Sequence, residues 1–298
     1  MSGIMGICYP DRKSVKSDVL REMLDTLAHR GMDRSAMWCE NHIGLAQRML
    51  YTTPESLLEE LPYYDRDRGL TITCDARIDN RQELVSWLGL DDLPLSKITD
   101  SQIILAAYCK WGRDCPQKLL GVFAFAIWDE RQQQLFCARD FFGIKPFYYC
   151  CSDRVFSFAS EIKALFCVPE VPQQLNELRI AQYLISNLDD KQITFYQDIL
   201  RLPPAHSLTI SAQGSMIQRY DSLSLEPESE LKLSSIDEYA EAYQTLFKQA
   251  VSRRIRSCGT VGSMLSGGLD SSSICCTTRD LFKGSDRRAI INNLRLLT

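Results

Sequence analysis

Val261-Gly262-Ser263-Met264-Leu265-Ser266-Gly267-Gly268-Leu269-Asp270-Ser271-Ser272 decides how the C-terminal end of this 298-residue chain folds. Val261 to Leu265 predicts a buried strand, Ser266-Gly267-Gly268 a tight turn, and residues 270–282 a helix. Glycines let a backbone approach an anion closely and adopt positive φ. The helix that follows offers free N–H groups and the positive end of its dipole. Ser271 and Ser272 supply hydroxyl donors for phosphate oxygens. Asp270, an acid inside a phosphate site, points to a bound Mg²⁺. A bare Gly-Gly before a helix is usually only a capped helix start. The seven-residue string Ser266–Ser272, in its strand–loop–helix setting, favours a phosphate loop. It is not a Walker loop, because G-x-x-x-x-G-K is missing.

Upstream of this unit, residues 235–256 read as a long amphipathic helix. Before it, residues 222–235 are rich in Ser, Glu and Leu and contain Pro227, which marks a linker. The first half has different patterning. Apolar, β-prone runs are predicted as strands at 2–9, 34–39, 43–49, 70–76, 122–128, 135–139, 146–151, 155–159 and 206–210. Helical spacing is predicted at 15–28 and 175–185, with a further helix N-capped by Asp100. Strands in such succession with few helices imply an antiparallel α+β layered domain.

Composition narrows the function. A net charge of -4, a pI near 5.5 and no Lys/Arg stripe disfavour nucleic acid as a partner. No apolar stretch approaches the ~18 residues of a membrane span, and no basic segment precedes the first apolar run, as a signal peptide requires. The 12 cysteines contain no C-x-x-C pair, and there are only three histidines. Buried reduced thiols in a cytoplasmic protein are the reading these numbers favour.

Several strings together resemble one family. Gly3-Ile4-x-Gly6-Ile7, Arg30-Gly31-Met32-Asp33 and Ile43-Gly44-Leu45-Ala46-Gln47-Arg48 are similar to the opening of class II glutamine amidotransferases. Thr99-Asp100-Ser101-Gln102-Ile103-Ile104 resembles the segment with that family's glutamine-binding aspartate, and Arg139-Asp140-Phe141-Phe142-Gly143-Ile144-Lys145-Pro146 and Phe158-Ala159-Ser160-Glu161-Ile162-Lys163 complete the pattern. Ser266–Ser272 resembles the pyrophosphate loop of the N-type ATP pyrophosphatases. In this order the strings resemble the asparagine synthetase family, whose relatives include β-lactam synthetases and lasso-peptide cyclases. The resemblance implies an α+β Ntn-type four-layer sandwich, followed by the start of an α/β adenine-nucleotide alpha-hydrolase-like domain. The expected divisions are an amidotransferase-like domain over 2–215, a linker over 216–235, and the N-terminal part of an ATP-pyrophosphatase domain over 236–298. Only 26 residues follow Ser272, and 283–298 match no family pattern. Such a domain needs several more βα units, so a truncated second domain is expected.

The same resemblance assigns roles. Arg48, Arg77 and Asp100 fall at glutamine-pocket positions. Leu265, Ser266, Gly267, Gly268, Leu269, Asp270, Ser271 and Ser272 form the ATP-binding set, with Asp270 as the metal ligand and ATP and Mg²⁺ as cofactors. Ser2 stands where the family has its catalytic cysteine. Asp75-Ala76-Arg77 stands where the family has Asn-Gly-Glu. An amide donor has become a carboxylate at the oxyanion position, and losing one such donor costs ~2.7–4 kcal/mol. Ser2, Asp75 and Ala76 are therefore expected to mark a glutaminase site without activity. For Arg48 and Asp100 two readings stand: a residual amino-acid pocket, or a scaffold salt bridge. The implied chemistry is adenylation of a small-molecule or peptide carboxylate and attack by an amine, as in an asparagine synthase (glutamine-hydrolysing)-type ligase or a lasso-peptide-type cyclase. The competing readings are a non-enzymatic pseudo-amidotransferase and an inactive truncated product. A homodimer is also compatible with the family.

Overall fold

The computed structural model describes residues 1–187, 189–222, 232–283 and 294–297. Two compact units emerge, one of Met1–Leu50 with Leu58–Ser222, the other of Tyr51–Leu57 with Leu223–Thr298.

In the first unit β1 (Gly3–Cys8) is followed by α1 (Ser17–Thr26) and the hairpin of β2 (Arg34–Glu40) and β3 (Ile43–Met49). Next come β4 (Tyr63–Asp65), β5 (Leu70–Ile78), α2 (Arg81–Leu88) and α3 (Asp100–Trp111). Then follow β6 (Gly121–Asp129), β7 (Gln134–Arg139), β8 (Tyr148–Cys151) and β9 (Phe156–Ala159), with short helices α4 (Ile162–Leu165) and α5 (Glu177–Leu184). The unit ends with β10 (Ile199–Arg201), β11 (His206–Ser211) and β12 (Gly214–Arg219).

These strands form two six-stranded antiparallel sheets, ordered β10-β8-β9-β1-β3-β2 and β12-β11-β7-β6-β5-β4. Period-two alternation explains why both faces of each sheet are apolar. On β6, Phe123, Phe125 and Ile127 point to one core and Ala124, Ala126 and Trp128 to another. On β1, Ile4 faces the second of these cores while Met5 and Ile7 face a third. The first core is completed by Leu84 and Val85 of α2 and by Ile103, Ile104 and Ala107 of α3. The third is completed by Leu20, Met23, Leu24 and Leu27, spaced to fall on one stripe of α1 and its end. Three cores separate four layers, helix–sheet–sheet–helix, which is the expected Ntn-type sandwich.

Two details differ from the sequence expectation. The N-cap of α3 is Thr99, not Asp100. Thr99 accepts the Gln102 N–H while Gln102 accepts the Thr99 N–H, a capping box in which the Asp100 carboxylate takes no part. The antiparallel unit also runs to Ser222 rather than 215, because β12 pairs along all of β11. The expected linker over 216–235 therefore opens inside a strand, and its residues 223–231 lie outside the described residues.

In the second unit α6 (Ile236–Arg254) is N-capped by Ser235, and β13 (Val261–Met264) pairs in parallel with β14 (Leu294–Leu297) around α7 (Leu269–Lys283). The strand–loop–helix reading holds. β13 is not buried as expected: its residues alternate between half-buried and exposed. Among the described residues its sheet has only two strands, and α7 covers it through contacts such as Ser263 Oγ to Cys275 Sγ at 3.0 Å. Residues 284–293 of the expected unmatched tail lie outside the described residues.

Candidate functional site

Ser2 immediately precedes β1, whose first residue pairs with Arg48 on β3. Its side chain is buried. The hydroxyl accepts the Leu50 N–H at 3.1 Å and donates to Met49 Sδ at 3.6 Å. The Ser2 carbonyl accepts Arg30 Nε at 3.0 Å, and Arg30 Nη1 pairs with Glu161 at 3.0 Å. Gly31 makes this reach possible: a Cβ there would lie 2.4 Å from the backbone of Arg48. The Arg-Gly string thus has a steric reason, a backbone crossing that only glycine fits.

Gln47 links this strand to the opposite sheet. Its Nε2 donates to the Cys74 carbonyl at 2.8 Å, and its Oε1 accepts Thr73 Oγ1 at 3.0 Å. The same Nε2 lies 3.3 Å from Met49 Sδ. A chain of contacts therefore runs from Ser2 through Met49 and Gln47 to the backbone beside Asp75.

Asp75 lies on β5 with its side chain 6% exposed, and its Oδ1 accepts Lys145 Nζ at 2.6 Å. The Lys145 side chain is 11% exposed. Asp75 Oδ2 is buried with no hydrogen-bond partner, and so is Arg30 Nη2. A buried polar atom left unsatisfied costs about 1–3 kcal/mol. The α-amine of Met1 is held below its usual pKa range by burial; the Asp75 charge opposes this, while Lys145 and Arg30 add to it. The charges of Asp75, Lys145 and Arg30 are all felt at the chain's first amine. Ala76 packs against the core beneath α3, and Arg77 Nε stands 3.6 Å from Asp79 Oδ1.

Arg48 and Asp100 do not form a pair with each other. Arg48 Nε donates to the Leu24 carbonyl at 2.8 Å and Nη2 to Asp25 at 2.8 Å, at the end of α1. Asp100 binds the Ile78 N–H at 3.2 Å and is paired with the buried Arg81. The single salt bridge entertained between them is replaced by two others: Arg48–Asp25 ties the end of α1 to β3, and Arg81–Asp100 ties the start of α2 to the start of α3.

Beside Asp100 lies a carboxyl that sequence reading did not single out. Glu59 is buried and takes both the N–H and the hydroxyl of Ser101, at 3.0 and 2.6 Å. Burial, reinforced by the Asp100 charge, pushes its pKa up to about 7, against the pull of the Ser101 bonds and Arg81. Lys145 was also missed as a site residue. It sits inside a quoted string, but its partner is 70 positions away.

In the second unit, Ser266 to Asp270 are exposed and Gly267 has φ +83°. The Ser266 and Ser271 hydroxyls are 3.1 Å apart, and Ser271 Oγ also donates to the Gly268 carbonyl at 3.2 Å. Nothing lies within 4 Å of a Cβ placed on Gly267, so its role is conformational. The loop presents two hydroxyls and a helix start, which fit phosphate oxygens. Asp270 is a lone carboxylate, and among the described residues no group of three or more His, Cys, Asp or Glu is placed to hold a metal. Such a site fits Mg²⁺ only when phosphates complete its coordination. Among the described residues no helix is long and apolar enough to cross a membrane.

Comparison with known proteins agrees with this fold and with the order of its two parts. A family model described as a glutamine amidotransferase domain matches residues 1–221, and one described as asparagine synthase matches 242–291. "Asparagine synthetase [glutamine-hydrolyzing] 3" of Bacillus subtilis is 32% identical over 279 residues, 92% of this chain and 44% of that protein. "Amidase chry2" of Gibberella zeae is 30% identical over 92% of this chain and 40% of its own length. The chain thus spans less than half the length of these two relatives. Among solved structures, the B. subtilis glutamine phosphoribosylpyrophosphate amidotransferase complexed with ADP and GMP superposes with a TM-score of 0.54 at 13% identity, over 93% of this chain and 64% of that one. At that identity the likeness speaks to the fold alone.

Proposed function

The chain belongs to the glutamine amidotransferase domain family and runs on into an asparagine synthase match, and from that premise we propose that it serves ATP-dependent amide formation while its amidotransferase site does not hydrolyse glutamine. The observation that carries the second half is the 2.6 Å pair of Lys145 with Asp75. Amide hydrolysis needs hydrogen-bond donors aimed at a developing oxyanion. Asp75 aims a carboxylate there, and Ala76 does not change its sign. Ser2 adds a hydroxyl whose pKa is far above that of a thiol, and its proton points to a thioether rather than to a base.

The first half rests on the loop. Backbone N–H groups at the start of α7, with the Ser266 and Ser271 hydroxyls, would hold the phosphates of ATP. Asp270 would hold Mg²⁺ together with those phosphates, and the ion supplies charge neutralisation on the leaving pyrophosphate. The nitrogen would then come from free ammonia or a substrate amine rather than from glutamine, with a small-molecule or peptide carboxylate as acceptor. All 12 cysteines are free, which suits the reducing cytoplasm in which ATP-using ligases work.

The test is glutamine hydrolysis, followed as glutamate release. The chain should match the no-protein blank. Ser2→Cys alone should stay roughly 10²–10³-fold below Ser2→Cys/Asp75→Asn/Ala76→Gly, the effect of one oxyanion donor. Hydrolysis by the unaltered chain that is abolished by Ser2→Ala would overturn the reading.

A further inference from the structure

A cavity of about 260 Å³ opens in the first unit where β4, residues 89–98 and α3 meet, and neither Ser2 nor Asp75 lines it. Its floor is apolar, made by Leu90, Ile98, Leu105 and Ala106. Ile98 and Leu105 are 2% exposed and belong to the first core, so the floor is fixed by packing. A Cβ built on Gly89, at the end of α2, would meet nothing within 4 Å, so the space above it is open. An apolar hollow with a few polar groups at its edge is the form of a small-molecule site. Its volume falls just under the ~300–1,000 Å³ of drug-sized ligand sites, which points to a smaller ligand.

The polar groups at the edge carry both signs. Asp65 is committed to its neighbour: Oδ2 accepts Arg68 Nη1 at 2.7 Å and Oδ1 accepts the Arg68 N–H at 3.1 Å. This anchors the guanidinium and leaves its Nε and Nη2 to donate. Gln102 Oε1 accepts the Thr99 N–H at 2.9 Å, which leaves the amide nitrogen as a second donor. Asp92 also lines the cavity, and among the described residues its carboxylate has neither a hydrogen bond nor an ion pair.

We infer that this cavity is a binding site for a free α-amino acid with an apolar side chain. Arg68 and Gln102 supply donors for the carboxylate, Asp92 accepts the ammonium, and the floor takes the side chain. An edge of acids alone would select an amine, and an edge of arginine alone would select a carboxylate. Both signs over one apolar floor fit the zwitterion, through charge-assisted bonds at one end and apolar burial at the other. A polar side chain such as that of glutamine would meet no partner on the floor, and burying such a group without a hydrogen bond is costly. The wall of residues 89–98 is held from behind, because Arg81 donates to the Leu95 and Ile98 carbonyls. The site therefore needs little ordering when a ligand arrives. It holds whether or not Ser2 hydrolyses glutamine.

The experiment is calorimetric titration of L-phenylalanine into the unaltered chain. Three analogues are titrated beside it: phenethylamine, which lacks the carboxylate, hydrocinnamate, which lacks the ammonium, and L-glutamine, which lacks the apolar side chain. L-Phenylalanine should give a saturable heat at millimolar concentration, and each analogue should bind at least about tenfold more weakly. Ala106→Leu fills the floor without touching a charge and should abolish the heat. Should that variant fail to fold, Arg68→Gln and Asp92→Asn decide the matter. Both positions are exposed, and each change should weaken L-phenylalanine at least about tenfold. No saturable heat with L-phenylalanine would overturn the proposal. So would an analogue that binds as tightly as the amino acid. Full affinity in a folded Ala106→Leu chain, or in both rim variants, would place the binding elsewhere and overturn it as well.

Discussion

At Ser2 the polar groups are turned inward and tied to their own scaffold: hydroxyl to Leu50 and Met49, Arg30 to Ser2 and Glu161, Lys145 to Asp75. At Ser266–Ser272 they are turned to the surface, and the two paired hydroxyls hold little but each other, the Ser266 N–H and one carbonyl. The first arrangement has its bonds made before any ligand arrives. The second has donors that a ligand can take over with small rearrangement. In a chain matched by two family models, this contrast is the one expected if, as proposed, the first site serves as structure and the second binds a ligand. It also predicts opposite responses to substitution: large effects on stability at the first site, small ones at the second.

The largest effect should come from Lys145→Ala. It leaves the Asp75 carboxylate buried and without its ion partner, and breaking a buried pair from one side typically costs 3–5 kcal/mol, so a loss of about that size is expected in urea unfolding. Asp75→Asn/Lys145→Met should be near neutral, because neither charge is then stranded. Lys145→Ala and Asp75→Asn each losing under about 1 kcal/mol would mean that the pair is solvated, and the contrast between the sites would fail.

Much of this was readable from sequence, for identifiable reasons. β1, β3, β6 and α1 carry apolar patterns that the three cores enforce, and the glycine loop carries its own conformational signature. β12 was not legible, because its residues 214–219 are all exposed and lack apolar alternation. α2, at 8 residues, is too short for helical periodicity to stand out. At the site, Asp75 was legible as a departure from the Asn-Gly-Glu string of the family that the sequence resembles. Its partner was not, because β5 and the segment before β8 meet only through tertiary packing, and no spacing rule links positions 75 and 145. The same holds for Arg48 and Asp100: their residue types suggested a pair, and only the fold shows that each prefers a nearer partner.

Glu59 extends the comparison to pH. Its folded pKa is about 7, raised from an ordinary value of 4.5, so the folded state binds this proton more tightly. Its contribution to stability is therefore fully present below about 4.5 and is lost as pH rises through about 7. The groups facing it are Asp100, which raises the pKa, and Arg81 and Ser101, which lower it. Unfolding measured between these values should show stability falling with rising pH by up to about 3 kcal/mol from this group. Glu59→Gln mimics the protonated acid and should flatten that slope while keeping the Ser101 contacts. A slope unchanged in the variant would assign the pH dependence elsewhere.

The smallest effect on stability is expected in the loop, and it is the other half of the contrast. Ser271→Ala removes an exposed mutual contact with Ser266 and a bond to the Gly268 carbonyl, both open to water. Water can satisfy what the hydroxyl leaves, so unfolding should shift by less than about 0.5 kcal/mol. Binding should respond differently. A hydroxyl donating to a phosphate oxygen makes a charge-assisted bond, worth about 1.5–3 kcal/mol. The affinity for Mg²⁺-pyrophosphate should therefore fall by at least about tenfold in Ser271→Ala, read by calorimetry. Asp270→Ala should weaken pyrophosphate binding in Mg²⁺ and much less in its absence, since the carboxylate acts through the ion. If Ser271→Ala destabilises the fold and leaves pyrophosphate binding intact, the loop is scaffold like the Ser2 site, and the two regions do not differ in kind.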